Sequence, residues 1–88
     1  MEWQQKDEME YNAIYNDYIK CIVTQELYDE NGKDKELWYA HIEINWKYCK
    51  EVYSFEDYNY NNDKGSSRLA TAKNNCLKLI KMLFKPTK

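Results

Sequence analysis

The chain has 88 residues, enough for one domain with a thin hydrophobic core, and its composition of 43% hydrophobic and 32% charged residues is that of a globular protein. It shows no apolar N-terminal segment that would make a secretory signal or a membrane span, and its three cysteines are odd in number and far apart. We therefore expect a cytoplasmic protein with reduced thiols, and with a single histidine we expect no metal site and no cofactor.

Charge is distributed unevenly along the chain, although the net charge is only −2. Residues 1–45 hold 11 acids and 4 lysines, a balance of −7, whereas residues 46–88 hold 4 acids and 9 lysines or arginines, a balance of +5. Such asymmetry can steer a charged partner toward one part of a surface. It is the first indication that this protein binds something.

Residues 1–18 are acidic, and their apolar spacing predicts a short N-terminal helix. Tyr11, Ile14, Tyr15 and Tyr18 follow the i, i+3, i+4, i+7 spacing of one helix face. The sequence allows fraying of residues 1–8, although Trp3 favours some docking onto the rest of the domain.

An Asn-Gly pair at positions 31 and 32 predicts a two-residue hairpin turn, because both central residues of such a turn need positive φ. This turn pairs residues whose numbers sum to 63, so that Lys20 faces Glu43 and Cys21 faces Ile42. The hydrophobic alternation gives the same register. The two predicted strands lie near Ile19–Tyr28 and Lys35–Trp46.

The second of these strands alternates cleanly between an apolar and a polar side. On the apolar side are Trp38, Ala40, Ile42, Ile44 and Trp46. The first strand places Ile19, Cys21, Val23 and Leu27 on the same side. This pattern is typical of a sheet with one packed face and one solvated face.

The rest of the chain predicts a third strand at Glu51–Tyr58, a polar loop at Asn59–Ser67 and a final helix. We expect Ser66 or Ser67 to cap the helix and Pro86 to end it. The apolar helix face contains Leu69, Ala72, Cys76, Ile80 and Leu83, with Leu77 and Phe84 on its flanks.

Together these elements predict a single α+β domain spanning residues 1–88, with the order α-β-β-β-α. A three-stranded antiparallel sheet carries the C-terminal helix on one face, and the short N-terminal helix precedes it. We expect Ile42, Ile44, Cys76 and Ile80 to be buried between sheet and helix.

Catalytic motifs are missing from the sequence, and we expect a protein that is not an enzyme. His41 is the only histidine, and the register places it beside Ile22 on the solvated face. Adjacent acids such as Glu56 and Asp57 would point to opposite faces of a strand and form no carboxylate pair. Neither a P-loop nor a G-x-G-x-x-G motif occurs.

A basic C-terminal segment gives the first of two binding hypotheses. The run from Lys64 to Ala70 is similar to the Gly-x-Ser-Lys-Lys-x-Ala start of the last helix in double-stranded-RNA-binding domains, whose element order also matches. The chain departs from that family at Ser67, where a lysine is expected, and in its acidic Asp29-Glu30-Asn31-Gly32 loop. The order of three strands and a helix also resembles plant transcription-factor and integrase-arm domains. Candidate nucleic-acid-binding residues are Lys64, Arg68, Lys78, Lys81 and Lys85.

An acidic N-terminal half with interleaved aromatic residues gives the second binding hypothesis. Tyrosine and tryptophan anchor protein interfaces, and spaced carboxylates can imitate the phosphates of nucleic acid. Candidate partner-binding residues are Glu8, Glu10, Tyr11, Tyr15, Asp17, Tyr18, Tyr28, Asp29 and Glu30.

From the sequence we favour a small non-catalytic binding protein. It would be an inhibitor or regulator that docks on a nucleic-acid-handling protein through the acidic, aromatic surface, of the kind typical of phage or mobile-element accessory proteins. Direct RNA or DNA binding through the basic C-terminal helix is the alternative, and a homodimer formed through sheet edges or exposed aromatic residues is a third class.

Overall fold

A computed structural model describes residues 1–58 and 65–84 of the protein, with the backbone alone at 28–30 and 33–35. In this part of the chain, five strands form one antiparallel sheet in the order β1-β2-β3-β4-β5, and a C-terminal helix packs on one face of it. We call this the inner face and the opposite one the open face. The elements are β1 Trp3–Asp7, β2 Glu10–Ile14, β3 Ile19–Glu30, β4 Lys33–Asn45, β5 Lys50–Ser54, α1 Phe55–Tyr58 and α2 Leu69–Leu83.

The β3–β4 hairpin confirms the predicted turn and register. Asn31 and Gly32 have φ of 56° and 77°, the left-handed values that a two-residue turn of this type requires. Lys20 lies across from Glu43, and every other pair also sums to 63. Both strands run closer to the turn than the sequence indicated.

The N-terminal part of the chain forms a hairpin, so the predicted N-terminal helix is wrong. Residues 1–18, all of which the structure describes, contain β1 and β2 and no helix. Side-chain oxygens of Asp7 and Asn16 accept backbone N–H groups two or three residues ahead, at 2.8 Å, and so form the turns before and after β2. The helical spacing of the tyrosines is incidental to this arrangement, since aromatic and β-branched residues also favour strands.

The two added strands change the sheet from the predicted three strands to five. β2 pairs with the edge of β3 and places Ala13, 3% exposed, on the inner face beside Cys21. A strand here satisfies backbone groups of β3 that a helix would leave unpaired. The first eight residues, for which the sequence allowed fraying, include β1, and Trp3 packs against the core.

The third predicted strand is shorter than expected. β5 ends at Ser54, and residues 55–58 turn into α1, which buries Phe55. Glu56 and Asp57 in the first turn of α1 suit the positive end of a helix dipole, a signal that the neighbouring aromatic residues obscured. The register pairs Ile42 with Tyr53, which places Tyr53 on the inner face.

α2 lies across β3 and β4 as predicted, but its first turn differs from the prediction. Arg68 is the N-cap residue and makes no side-chain capping bond, so the predicted serine cap is wrong. Ser66 is occupied elsewhere: its backbone forms two hydrogen bonds of 2.8 Å with Trp38, and its hydroxyl accepts one from the buried Asn75 amide at 3.1 Å. These contacts hold the segment before α2 against β4.

α2 ends at Leu83. The predicted stop at Pro86 lies outside the described residues, as do positions 59–64 of the predicted loop.

The core lies between the inner face and α2. The four predicted core residues are all buried, which confirms this part of the prediction. Leu79, also fully buried, was not anticipated. The buried apolar set is Ala13, Ile19, Cys21, Val23, Ala40, Ile42, Ile44, Phe55, Ala72, Cys76, Leu79 and Ile80.

Replacing Ile80 should test this core. Ile80 is 5% exposed, so Ile80→Ala should lower the free energy of unfolding by about 2–5 kcal/mol, because it leaves a cavity in a small core. Lys81→Ala, at the next and exposed position, should change it by less than about 0.5 kcal/mol. Urea titration followed by circular dichroism measures both free energies of unfolding. A change for Ile80→Ala as small as that expected for Lys81→Ala would show that the helix face is not packed.

Candidate binding surfaces

One end of the molecule is a two-stranded ribbon that projects from the sheet. β2 pairs with β3 as far as Thr24, and Trp38 of β4 bridges to Ser66. Beyond these points, in the part of the chain that the structure describes, no third strand flanks residues 26–37. We call residues 26–37 the acidic arm, because they hold five acids and two lysines, a balance of −3.

The register concentrates the charge of the acidic arm on one of its faces. Asp29 pairs with Asp34, and Glu36 lies one step nearer the sheet across from Leu27, all at inner-face positions. Like charges directly opposite each other destabilise a sheet, so folding alone does not favour this pair. The open-face positions balance to zero: Glu26, Tyr28, Glu30, Lys33, Lys35 and Leu37.

The β1–β2 turn adds acids at the base of the acidic arm. The Met9 carbonyl accepts the Gln25 backbone N–H at 2.8 Å, which fixes this turn beside the first residues of the arm. Glu8 is exposed in the turn. Glu10 is half-buried and lies 3.6 Å from the Lys6 ammonium.

The opposite end of the molecule carries a groove with aromatic walls, of about 250 Å³. It lies between the β2–β3 turn, the end of β4 and the last turn of α2. We call it the aromatic groove; its lining residues are Tyr15, Asn16, Tyr18, Ile19, Ile44, Trp46, Ile80 and Phe84.

The aromatic groove exists because α2 is shorter than the apolar stripe beneath it. Fifteen helical residues span about 22 Å, whereas the stripe from Trp38 to Trp46 spans about 27 Å. Trp46 and Phe84 therefore remain 45% and 44% exposed, and Tyr18 beside them is 61% exposed. Contiguous exposed apolar side chains mark interaction sites on soluble proteins.

A carboxylate borders the groove at Trp46. Hydrogen bonds from the Tyr53 hydroxyl and then from the Trp46 indole lower the pKa of the Glu51 carboxyl. Glu51 is therefore charged at neutral pH. Next to Trp46, the Lys47 ammonium lies 5.3 Å from the centroid of the exposed Tyr48 ring.

The solvent side of α2 forms a basic stripe, defined here by Arg68, Lys78 and Lys81. All three are exposed, and α2 contains no acid. Thr71 and Asn74 lie between them on the same side, around a shallow depression. The other two predicted nucleic-acid-binding residues, Lys64 and Lys85, lie outside the described residues.

Lys73, a further cation of α2, has a structural role. Its ammonium lies 5.4 Å from the centroid of the Trp3 ring and 4.8 Å from that of Tyr11. Tyr11 in turn packs edge-on against Trp38, with centroids 5.8 Å apart. These contacts hold the β1–β2 hairpin to the helix, and they half-bury Tyr11, a predicted partner-binding residue.

The structure divides the other predicted partner-binding residues between the two ends. Positions 18 and 29 are about 36 Å apart along the extended chain that includes β3. The arm end therefore receives Glu8, Glu10, Tyr28, Asp29 and Glu30, and the groove end receives Tyr15, Asp17 and Tyr18. For Tyr28, Asp29 and Glu30 only the backbone position is described.

Trp46 and Phe84 are groove residues that the sequence pattern places on the packed face of the sheet and on the flank of the helix. The sequence did not reveal them, because the predicted helix extends to Pro86 and would cover the stripe, whereas α2 ends at Leu83.

Side chains able to carry chemistry are dispersed. His41 lies on the open face, with Nε2 3.2 Å from the Thr24 hydroxyl. The Cys76 thiol is buried, and contact with Cys21 and then burial raise its pKa, while Cys49 is exposed. Among the side chains that the structure describes, which leave out those of residues 28–30 and 33–35, no three of His, Cys, Asp or Glu come together as metal ligands. Within residues 1–58 and 65–84, no helix has both the length and the apolar character to cross a membrane.

Comparisons with protein-family models, with curated proteins and with solved structures find no match for this chain. A functional interpretation therefore rests on the acidic arm, the aromatic groove and the basic stripe.

Replacing Lys73 should show that it joins the N-terminal hairpin to α2. Lys73→Met keeps an apolar stem but removes the cation from the two aromatic rings, and should lower the free energy of unfolding by about 0.5–2 kcal/mol. Lys78→Met, on the solvent side of the same helix, is the matched control and should leave stability nearly unchanged. Urea titration decides between them, and an unchanged midpoint for Lys73→Met would contradict this role.

Proposed function

We propose that this protein is a small non-catalytic binding protein whose acidic arm docks on a basic surface of a partner protein. The partner we favour is a nucleic-acid-handling protein, whose binding cleft the arm would occupy as an inhibitor or regulator. The observation that carries the proposal is the register, which places Asp29, Asp34 and Glu36 on one face of a projecting ribbon.

The geometry of the acidic arm suits insertion into a cleft. Residues 26–30 extend about 16 Å beyond the neighbouring strands, and the ribbon is only two strands wide. On its acidic face, Glu36 follows the Asp29–Asp34 pair at a step of about 7 Å along the strand. A basic cleft that accepts a line of phosphates could accept such a line of carboxylates.

Electrostatics would speed the encounter with such a partner. The arm has a balance of −3, and Glu8 lies exposed at its base. Charged surfaces of opposite sign raise association rates by about 10-fold to 1,000-fold at low salt.

Direct binding of RNA or DNA is a second candidate function, and one observation favours it. Within the described residues 65–84 there are four basic side chains and no acid, and three of the four form the basic stripe. Phosphate contacts by lysine and arginine supply most sequence-independent affinity for nucleic acid.

Neutralising the acidic face of the arm should separate these functions. In the double variant Asp29→Asn/Asp34→Asn, the association rate with the partner should fall about tenfold at low salt, and the difference should shrink at high salt. The control Glu2→Gln/Asp57→Asn removes the same charge from exposed positions outside the arm and should bind as the wild type does. Because the arm variant relieves repulsion, its stability should not fall.

The measurement is capture from host lysate, with and without nuclease treatment, read by quantitative mass spectrometry and followed by surface plasmon resonance on the enriched protein. Excess nucleic acid should displace that protein if both occupy the same cleft. Equal capture by the arm variant and the wild type would contradict the proposal. Capture that disappears after nuclease treatment would favour direct nucleic-acid binding.

A further inference from the structure

We infer that the aromatic groove and the nearest lysines of the basic stripe, Lys78 and Lys81, together form a binding site for single-stranded nucleic acid. The inference rests on the second candidate function, nucleic-acid binding through α2, and specifies the form of the ligand. It places this site at the end of the molecule opposite the acidic arm, so that the two surfaces could be occupied independently.

The walls of the groove suit unpaired bases. Tyr18, Trp46 and Phe84 are exposed aromatic residues that line one cavity. Aromatic side chains bind single strands by stacking, which works for any sequence because every base has a π-face. The bases of a duplex are already stacked and paired, so a duplex offers this groove little.

The size of the groove agrees with a ligand of this kind. Its volume of about 250 Å³ is below the range of about 300–1,000 Å³ that drug-sized ligands occupy. Its apolar floor is formed by Ile19, Ile44 and Ile80, and it is open to solvent. A base can therefore enter while its sugar and phosphate remain outside.

The charge on the α2 side of the groove suits a polyanion. Lys81 lies in the last turn of α2, three residues before Phe84 of the groove, and Lys78 lies one turn earlier on the same exposed side. Because α2 contains no acid, a phosphate backbone can follow the helix while its bases turn into the groove.

Two acidic residues on the rim of the groove away from α2 would orient the phosphate backbone of a bound single strand. Asp17 in the β2–β3 turn and Glu51 beside Trp46 would repel phosphates. The backbone should therefore lie along α2 and away from these two carboxylates. Removing one of them, in Asp17→Asn, should tighten binding.

Fluorescence anisotropy with fluorescein-labelled oligothymidine and oligouridine of about 12 nucleotides tests the site, within the range of site sizes of single-strand-binding folds. A duplex hairpin of equal length is the competitor. Trp46→Ala and, separately, Tyr18→Ala should weaken binding about tenfold or more. Lys78→Gln/Lys81→Gln should lower the salt dependence of log K by roughly 1.4, and Lys6→Gln/Lys20→Gln is the matched control. Circular dichroism shows that each variant is folded.

The inference holds if single strands bind at least about tenfold more tightly than the duplex and the groove and stripe variants both lose affinity. The inference is overturned if no oligonucleotide binds at about 50 mM salt, or if the duplex binds as tightly as the single strands. It is also overturned if Lys6→Gln/Lys20→Gln loses as much affinity for the oligonucleotide as Lys78→Gln/Lys81→Gln does. Self-association of the protein that depends on Lys78 and Lys81, without oligonucleotide binding, would also overturn the inference. It would show that a second copy of the chain binds to the groove. The Asp29→Asn/Asp34→Asn variant should bind oligonucleotide normally, so failure here leaves the acidic arm's protein-docking function to its own test.

Discussion

The Asn31-Gly32 turn fixes the register on which the rest of this structure depends. Twelve residue pairs of β3 and β4 follow from it, and because side chains alternate with a period of two, a slip of one residue would exchange the two faces. The inner face then offers Cys21, Val23, Ala40 and Ile42 to α2, while β2 and β5 extend the sheet on either side. The same register places Asp29 opposite Asp34 in the arm.

The central hairpin is longer than the elements that cover it, and both candidate surfaces follow from this mismatch. Toward the turn, β3 and β4 run past their neighbouring strands and form the acidic arm. Toward the other end, the apolar stripe runs past the end of α2 and leaves Trp46 exposed. Surface that the fold does not need for its own stability is thus presented at two separated ends, one acidic and one aromatic.

The sequence revealed those features that a single local rule determines. The turn required positive φ at two residues, and the alternation around Ile42 and Ile44 had one interpretation, so the hairpin and much of the core were predictable. The N-terminal hairpin was not, because the spacing of Tyr11, Ile14 and Tyr18 matches a helix face, and the pairing of β2 with β3 overrides that local signal. The end of β5 was missed because Phe55, an apolar residue in an aromatic run, starts a helix instead.

The sequence predicted many residues of the candidate surfaces but not where those residues lie in the fold. Charge counting found the acids of the arm and the lysines of α2, yet it could not show that Tyr18 and Asp29 lie at opposite ends. That separation depends on the extended path of β3, and the central claim is therefore its register with β4. In a hairpin closed by a two-residue turn, Val23 and Ala40 form a non-hydrogen-bonded pair, with Cα atoms about 4.5 Å apart. A nuclear Overhauser effect between the Hα protons of Val23 and Ala40 measures this directly. We predict a strong cross-peak; a cross-peak of Val23 with Tyr39 or His41 in its place would shift every pair and contradict the account.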